Sequence, residues 1–457
     1  MWRHGHRFDR TIAAMSTPLR APRDGSGRFV NWARTVTTRP TAWREPASEA
    51  EVAEVVAAAA AAGGRVRVVG AGHSWSAIAA PEDIALTLDG LAGITSVDRE
   101  RMQVTVAAGT RLRDLNAALD QRGLALPIVG SIAQQSVAGV IGTGTHGSSL
   151  VHGNLSSLVE SLRLVSGRGE PVSIGGADPR LDGARVHLGA LGIVTEVTLR
   201  VVPAFRLRET IDNIPLATVA PTLLEIARSA EYVKVWWLPH TKLAQVFRYT
   251  RTEEPSSRRP TPITGRWIDD HLLHGGVFPA LLAVARRRPA WIPPINRALA
   301  RVYLDRRPRV APSALALSTP MPVRHRETEA ALPLERSGEA FDRVVHRIDR
   351  DGLRVTFPVE LRFVRGDSAW MSPAHGADTC QIGAYCSDAP DVDAYFAAFW
   401  SELRALGARP HWGKELDHGV DEVRAAYPQA DRFRALRDAL DPARVFGSAF
   451  HTRVLGA

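Results

Sequence analysis

Two glycine-rich stretches of the chain each carry a histidine beside their glycines. The first is Gly70-Ala-Gly-His-Ser74, and the second has four glycines within nine residues, from Gly139 to Gly147. Glycine lets a ligand approach the backbone closely, and the amides of a turn satisfy an anion without a counter-charge. The two stretches therefore predict a large anionic cofactor held through its pyrophosphate. Such a cofactor would be FAD if the chemistry is redox.

Other interpretations of these residues require patterns that the sequence lacks. A nicotinamide-binding turn needs a third glycine where Trp75 stands, and Asp89 ends a strand at the wrong distance to be the acidic residue of that unit. A serine hydrolase needs a Gly-x-Ser-x-Gly elbow, which does not occur. The histidines show neither HExxH nor CxxC-type spacing, so no metal site is predicted.

Lysine is rare in this chain, which makes each lysine a candidate for a role that arginine cannot fill. Of the 57 basic residues only Lys234, Lys242 and Lys414 are lysines. An ammonium group is a compact, mobile donor whose pKa can shift, whereas a guanidinium group stays planar and charged. Chance is the alternative for any one of them. We expect Lys234 at a domain interface and Lys242 on the surface.

Glu360 and Arg362 stand two residues apart in Val-Glu-Leu-Arg-Phe-Val. On a strand both side chains face the same way. A carboxylate can bind substrate hydroxyls, and an arginine can stabilise developing negative charge. The pattern alone is also that of an exposed strand face with a salt bridge.

The elements around these residues form a mixed pattern. Ser48-x-x-Glu51 predicts a capped helix that ends at Gly63-Gly64, followed by a strand over 66–69. A second helix is predicted from a Thr110 cap to Gly123, and the stretch 138–149 is expected to lack regular structure. Strands and helices alternate as in an α+β protein, not as in a doubly wound nicotinamide domain.

We expect four segments along the chain. Residues 1–30 are a flexible tail, in which Met15 is a second candidate start, and 31–207 form the cofactor-binding domain. Residues 208–405 form a substrate (cap) domain with an antiparallel sheet flanked by helices, and 406–457 return to the cofactor. An apolar and basic insertion at 271–304 packs as helices or lies against a membrane surface.

The overall composition is that of a globular protein and restricts its partners. The 457 residues carry a net charge of +9, but the arginines are scattered and no nucleic-acid-binding motif accompanies them. No run of about 18 apolar residues occurs. Two cysteines, Cys380 and Cys386, cannot form a disulfide framework, so a reducing cytoplasm, with or without peripheral contact to the inner face of the membrane, is expected.

Motifs spread along the chain carry a resemblance to a known family. They are VVGAGHSWS (68–76), SVAGVIGTGTHGSS (136–149), GALGIVTEVTLRVVP (189–203), VWWLPHT (235–241), VELRFV (359–364), RPHWGK (409–414) and DPARVFGSAFHTRVLG (441–456). In this order they resemble the vanillyl-alcohol-oxidase-type (PCMH-type) FAD-linked oxidoreductases, in particular the aldonolactone oxidoreductase branch. The resemblance covers nearly the whole chain from about residue 30 and implies a PCMH-type FAD domain of two α/β subdomains plus a cap domain.

The resemblance also implies roles for individual residues. His73 falls where many members attach the flavin 8α-methyl group to an imidazole, and no cysteine near 128–135 offers a second attachment. The implied catalytic residues are Lys414, Glu360, Arg362 and His411, although a structural histidine packed on Trp412 is the alternative for His411. The implied FAD-binding residues are Gly70, Ala71, Gly72, His73, Ser74, Ser136, Gly139, Thr143, Gly144, Thr145, His146, Gly147, Gly192, Ile193 and Val194.

The activity implied by the resemblance is oxidation of a sugar-1,4-lactone such as L-gulono-1,4-lactone. Hydride would pass from the carbon bearing the hydroxyl to flavin N5, giving a keto-lactone that isomerises to an ascorbate-like enediol. The electron acceptor would be dioxygen or a cytochrome- or dye-like acceptor. The nearest alternative is an alditol oxidase; more distant ones are a cell-wall sugar epimerase partner and a non-enzymatic basic protein that binds membranes or nucleic acid.

Overall fold

The computed structural model describes residues 22–257, 278–303, 308–318, 323–387 and 391–457. The elements up to residue 203 are β1 (Phe29–Val30), β2 (Thr37–Thr38), β3 (Ala42–Arg44), α1 (Glu49–Ala61), β4 (Val66–Val68), β5 (Ile84–Leu86), β6 (Ile94–Asp98), β7 (Gln103–Ala107), α2 (Leu112–Asp120), β8 (Leu124–Ala125), α3 (Val137–Gly142), β9 (Val159–Val165), β10 (Pro171–Gly175), α4 (Leu181–Arg185), β11 (Ile193–Arg200) and β12 (Val202–Pro203).

The elements after residue 203 are β13 (Arg206–Pro215), α5 (Leu216–Arg228), β14 (Tyr232–Trp237), β15 (Leu243–Thr252), α6 (Phe278–Arg287), α7 (Ile292–Tyr303), β16 (Arg309–Pro312), α8 (Ser313–Leu317), β17 (Arg326–Pro333), α9 (Ser337–Arg350), β18 (Val359–Val364), β19 (Thr379–Cys386), α10 (Val392–Leu403), β20 (Arg409–Pro410), α11 (Val420–Ala426), α12 (Ala430–Leu440) and α13 (Ala449–Leu455).

The first part of the chain contains two main sheets. A parallel sheet has the order β3-β5-β4, and helix α1 connects β3 to β4. A five-stranded antiparallel sheet has the order β10-β9-β11-β7-β6. The glycine-rich stretch 70–74 follows β4 directly, so the end of the parallel sheet positions it.

The second part contains an eight-stranded antiparallel sheet with the order β16-β13-β15-β14-β18-β19-β17-β20. Val235, Leu361 and Ile382, on β14, β18 and β19, belong to one apolar cluster with side chains of helices α5, α9 and α10. Because side chains alternate along a strand, the residues between them face the other side of the sheet. That side carries polar residues such as Arg362 and Glu329. The expected α+β fold, with an antiparallel sheet flanked by helices, is confirmed.

The C-terminal segment returns to the first part of the chain. Trp412 is completely buried and donates from Nε1 to the carbonyl of Met371 at 2.7 Å. The backbone at Trp412 and Gly413 is bonded to the loop that follows β4. The Trp75 N–H donates to the Gly413 carbonyl at 2.7 Å, and Ser76 Oγ donates to the Trp412 carbonyl at 2.6 Å. We propose that residues 31–207, 208–405 and 406–457 are separate segments of the fold, the last of which packs back on the first.

The expectation for the first helix is confirmed, and its cap differs in one detail. Ser48 accepts a hydrogen bond from the Glu51 N–H, and helix α1 ends before Gly63-Gly64. The Glu51 carboxylate accepts from the N–H of Ala47, not from that of Ser48. The Glu51 side chain thus binds the residue before the N-cap, where a reciprocal capping box would have it bind the N-cap itself.

Three expectations about local structure are wrong. Helix α2 has Arg111 as its N-cap, because the Thr110 hydroxyl is engaged with the Gly93 N–H and the Ala107 carbonyl. The stretch 138–149 is not irregular throughout, because 137–142 form helix α3 behind a Ser136 cap. The segment 22–30 is not a free tail: β1 pairs with β2, and residues 1–21 lie outside the described part of the chain.

The insertion expected at 271–304 is described from 278 to 303, where it forms helices α6 and α7. Trp291 and Val284 are among its exposed side chains, and Arg286, Arg287 and Arg288 are exposed beside them. Residues 271–277 and 304 lie outside the described part. Among the described residues, no helix combines the length and the apolar character that crossing a bilayer requires.

We predict that Ser76→Ala lowers the free energy of unfolding by about 1–3 kcal/mol, because it leaves the buried Trp412 carbonyl without its donor. Chemical denaturation at neutral pH measures the difference. Ser96→Ala, at an exposed position of β6, is the control and should change stability little. Equal effects of the two substitutions would show that the Ser76 hydrogen bond does not hold the C-terminal return in place.

Candidate functional site

A groove of about 980 Å³ begins at the loop after β4. Residues 70–74 line it, and their backbone N–H groups donate no hydrogen bond to another described residue. Free consecutive amides at a loop are the donors that a pyrophosphate needs. Among the lining residues the acid is Asp89, which is paired with Arg111. The free backbone N–H groups of the groove can therefore bind an anion without repulsion from an unpaired acidic side chain.

Helix α3 forms the opposite wall and brings its backbone unusually close to its neighbours. A Cβ on Gly70 would lie 2.7 Å from Ser136 Oγ, and a Cβ on Gly142 would lie 2.7 Å from the His187 ring. Nε2 of His187 is buried and has no hydrogen-bond partner among the described residues. Only glycine keeps this groove open, and the orphaned ring nitrogen in its wall fits a bound polar ligand.

The implied FAD-binding residues divide into three groups. Those that line the groove are Gly70, Ala71, Gly72, His73, Ser74, Ser136, Gly139, Thr143, Gly192, Ile193 and Val194. Thr145 and His146 line a second cavity instead. Gly144 and Gly147 line neither: Gly144 has a φ of +66°, and a Cβ on Gly147 would lie 2.6 Å from the Val129 carbonyl oxygen. These two glycines shape the loop.

The second cavity, of about 700 Å³, meets the groove. His73, Ser74, Gln135 and Thr143 line both spaces. Its other lining residues are Trp32, Trp75, Ser131, Ile132, Thr145, His146, His325, Glu327, Glu329, Arg362, Tyr385, His411, Gly413 and Lys414. A long ligand in the groove therefore ends beside a pocket rich in ionisable groups.

His73 stands where the two spaces meet. Its ring stacks on Trp32, with centroids 5.5 Å apart. Burial, together with the charges of Lys414 and Arg111, lowers the pKa of His73 to about 4. The imidazole is therefore neutral at pH 7, and a neutral ring nitrogen is nucleophilic.

Lys414 reaches the pocket from a turn in the C-terminal segment. The turn is held by His411, whose Nδ1 accepts from the Gly413 N–H at 3.0 Å and whose carbonyl accepts from the Lys414 N–H at 3.0 Å. The ammonium lies 2.5 Å from Glu327 Oε2 and 4.2 Å from the centre of the Trp75 ring. Lys414 is thus fixed by a carboxylate and an aromatic face.

Arg362 and Glu360 form a buried pair, but only Arg362 lines the cavity. Glu360 accepts from Trp236 Nε1 at 2.6 Å, from Arg362 Nη2 at 2.7 Å and from the Tyr385 hydroxyl at 2.7 Å. Burial would raise the pKa of Glu360, but Arg362 and Lys234 outweigh it and hold the pKa at about 2. Glu360 is therefore an ionised carboxylate that lies behind the cavity wall and holds the Arg362 side chain.

Of the two remaining lysines, one is buried and one is exposed. Lys234 is buried, with Nζ 4.0 Å from Glu360 Oε1 and 4.5 Å from the centre of the Trp236 ring. It stands behind the pocket and supports the Glu360 carboxylate. Lys242 is exposed, as expected.

His146, Glu329 and His411 form a buried cluster whose ligand atoms all lie within 4.8 Å of one another. His146 Nδ1 donates to the Gly147 carbonyl, so the proton between Nε2 and Glu329 Oε1, 3.2 Å apart, must be shared by that pair. Burial would raise the pKa of Glu329, but the charge and hydrogen bond of His146, together with the charge of Lys414, hold it well below the usual range.

The same hydrogen bonds argue against a metal ion at this cluster. Because His411 Nδ1 accepts from a backbone N–H, its Nε2 carries the proton in the neutral ring. Burial lowers the pKa of His411 to about 3, so the ring is neutral. A protonated ring nitrogen offers no lone pair to a metal, and the cluster acts as a hydrogen-bonding group.

Sequence reasoning missed the two carboxylates of β17, Glu327 and Glu329. Their signal was the alternation in Arg326-Glu-Thr-Glu-Ala-Ala-Leu, which places both on one strand face. The aromatic side of the pocket was missed as well. Trp32 and Trp75 both contact the His325 ring, with centroids 5.2 and 5.4 Å away, and these residues come from distant parts of the chain.

Known proteins resemble this chain along most of its length. A family model described as D-arabinono-1,4-lactone oxidase matches residues 197–454, and one described as an FAD binding domain matches 40–175. The L-gulono-1,4-lactone dehydrogenase of Mycobacterium tuberculosis is 36% identical over 433 residues, 93% of this chain and 98% of that protein.

Two further proteins are similar to this chain, one in sequence and one in fold. The alditol oxidase of a Streptomyces species is 32% identical over 433 residues, 93% of this chain and 98% of that protein. The crystal structure of cholesterol oxidase from B. sterolicum has a TM-score of 0.82 at 18% identity, covering 94% of this chain and 96% of that one. At that identity the cholesterol oxidase shows the shared fold alone.

We predict that the buried His187 makes the protein less stable in mild acid. Burial lowers the pKa of His187 from 6.5 to about 4. Below pH 6.5 His187 binds a proton in the unfolded chain but not in the folded chain. The free energy of unfolding therefore falls as the pH is lowered to about 4. His187→Asn should reduce this dependence by up to about 1.4 kcal/mol of unfolding free energy per pH unit.

Unfolding free energies measured at several pH values across this window test the prediction. His346→Asn, at an exposed position of α9, is the control and should keep the wild-type slope. An unchanged slope in His187→Asn would mean that this imidazole is not held neutral by burial.

Proposed function

Because this chain belongs to the D-arabinono-1,4-lactone oxidase family of FAD-dependent oxidoreductases that act on CH–OH groups, we propose that it oxidises the secondary alcohol of a sugar-1,4-lactone. The observation that supports an oxidation of a polar substrate is the junction of the groove with the ionisable pocket at His73, Ser74, Gln135 and Thr143. The product would be a keto-lactone, which isomerises to an ascorbate-like enediol.

The residues of the groove fit FAD, and the pocket is where its reactive ring would end. Bound FAD supplies the hydride acceptor for the alcohol carbon. Residues 70–74 would bind the pyrophosphate through their N–H groups, and the neutral His73 imidazole would reach the flavin ring. We propose a covalent bond from this imidazole to the flavin, because its ring nitrogen is unprotonated at neutral pH.

Two cations would act on the substrate and on negative charge that develops beside it. Lys414 and Arg362 both line the pocket, and each is held by a buried carboxylate. In a pocket with little water such preorganised charges stabilise an oxyanion strongly. Glu360 would then be a positioning residue for Arg362, and His411 one for the turn that carries Lys414.

An alditol is the second candidate substrate, favoured by the 32% identity to an alditol oxidase over 93% of this chain. Purified protein assayed with a panel of aldono-1,4-lactones and alditols, with dioxygen and with a dye as acceptor, separates the two. Lactone turnover above alditol turnover supports the proposal. The reverse order favours the alditol, and no turnover of either class by yellow protein contradicts both.

The electron acceptor and the place of action are further parts of the proposal. We propose dioxygen or a cytochrome- or dye-like molecule as acceptor, and peripheral contact with a membrane through helices α6 and α7. Exposed Trp291 beside exposed Arg286, Arg287 and Arg288 would suit an anionic lipid surface. Flotation with anionic but not zwitterionic vesicles tests the contact.

We predict that His73→Ala releases FAD when the protein is denatured with acid, whereas the wild-type polypeptide keeps its flavin colour in the precipitate. The reason is that the imidazole supplies the attachment atom. His346→Ala, at an exposed position of helix α9 that lines neither the groove nor the second cavity, should behave as the wild type. Flavin that stays attached in the His73 variant would refute the covalent role.

We predict that Lys414→Ala lowers kcat about a hundredfold or more without loss of bound flavin, since one preorganised cation is removed. Lys242→Ala, at an exposed lysine, is the control and should retain full activity. Steady-state rates and the flavin-to-protein ratio are measured for both. Unchanged turnover in Lys414→Ala would remove this residue from the mechanism.

A further inference from the structure

Glu327 has one carboxylate oxygen that is engaged and one that is not. Its side chain is 2% exposed, and Oε2 lies 2.5 Å from Lys414 Nζ. Oε1 is buried and has no hydrogen-bond partner among the described residues, although the residue lines the second cavity. Leaving a charged acceptor buried and unpaired is costly. The open oxygen therefore indicates that a donor comes from a bound molecule.

Two other polar atoms in the same cavity wall also lack partners among the described residues. They are His325 Nε2 and Arg362 Nε. His325 Nδ1 donates to the Val323 carbonyl, and its Nε2 lies 3.9 Å from Glu327 Oε2. An open carboxylate oxygen, an imidazole nitrogen and a guanidinium N–H together match neighbouring hydroxyl groups of a polyol, which both donate and accept, better than a carboxylate or an apolar ligand.

The carboxylate of Glu360, which was expected to bind substrate hydroxyls, is already occupied. Trp236, Arg362 and Tyr385 donate to its two oxygens. An additional hydroxyl would have to displace one of them. Glu327 can accept a hydroxyl without losing its ion pair, because Lys414 uses the other oxygen.

We propose that Glu327 binds a hydroxyl group of the substrate through Oε1 while Oε2 holds the Lys414 ammonium, so that one carboxylate selects the substrate and positions the cation. The ligand class is a sugar lactone or alditol with a free hydroxyl next to the oxidised carbon. This inference rests on the proposed function, since it assigns a residue within that same pocket.

A site built to hydrogen-bond a hydroxyl rejects the analogue that lacks it, because a buried acceptor is then left unpaired. Glu327 therefore determines specificity at that hydroxyl. In Glu327→Gln the amide oxygen would turn to the ammonium, and the amide N–H₂ would face the substrate in place of an acceptor. The variant loses the acceptor and keeps the size of the side chain.

The test compares the preferred substrate with its monodeoxy analogues in the wild-type holoenzyme and in Glu327→Gln, as kcat and KM. We expect the wild type to lose about a hundredfold or more in kcat/KM with one analogue, and Glu327→Gln to distinguish that analogue from the full substrate by about threefold or less. Glu209→Gln, a buried carboxylate paired with Arg309 outside the pocket, should keep the wild-type discrimination.

The outcomes separate the inference from the function on which it rests. A Glu327→Gln variant that discriminates as the wild type does would overturn the role of Glu327 and leave the proposed function intact. Wild-type rates within about threefold for every monodeoxy analogue would overturn it without any variant. A flavin-loaded wild type that turns over no lactone or alditol would overturn the proposed function and this role with it.

Discussion

Burial of charge on one face of the eight-stranded sheet is the constraint on which the pocket depends. Glu327, Glu329 and Glu360 are each almost fully buried there. An isolated buried carboxylate is very costly, and removing one partner of a buried pair is more damaging than replacing both. Each carboxylate therefore needs its own cation or shared proton. The pocket residues form a coupled group, and no single member acts alone.

The partners of these carboxylates come from different parts of the chain. Lys414 arrives on the C-terminal return, His146 on the loop after helix α3, and Arg362 from β18. The pairs thus join the cofactor-side domain, the sheet and the C-terminal segment at one place. Hydrogen bonds from Trp75 and Ser76 to the 412–413 backbone connect the loop after β4 to the turn that carries Lys414.

Local sequence patterns predicted the parts of the structure that depend on local geometry. Glycines at 70, 72, 139 and 142 indicated the groove because only residues without a Cβ permit such close walls. The period-two pattern of VELRFV placed Glu360 and Arg362 on one face. It could not show that Tyr385 and Trp236 would occupy Glu360, because those contacts depend on which strands become neighbours. For the same reason the alternation at Glu327 and Glu329 did not indicate a pocket, and the four glycines between 139 and 147 concealed helix α3.

In the proposed reaction, a sugar lactone would deliver its hydride to a flavin beside Lys414 and Arg362. The most direct measurement is the visible absorption spectrum of the purified holoenzyme mixed anaerobically with an aldono-1,4-lactone. We predict that the oxidised flavin band bleaches on mixing and returns when an electron acceptor is admitted. A flavin band that stays unchanged with every lactone and alditol would contradict it.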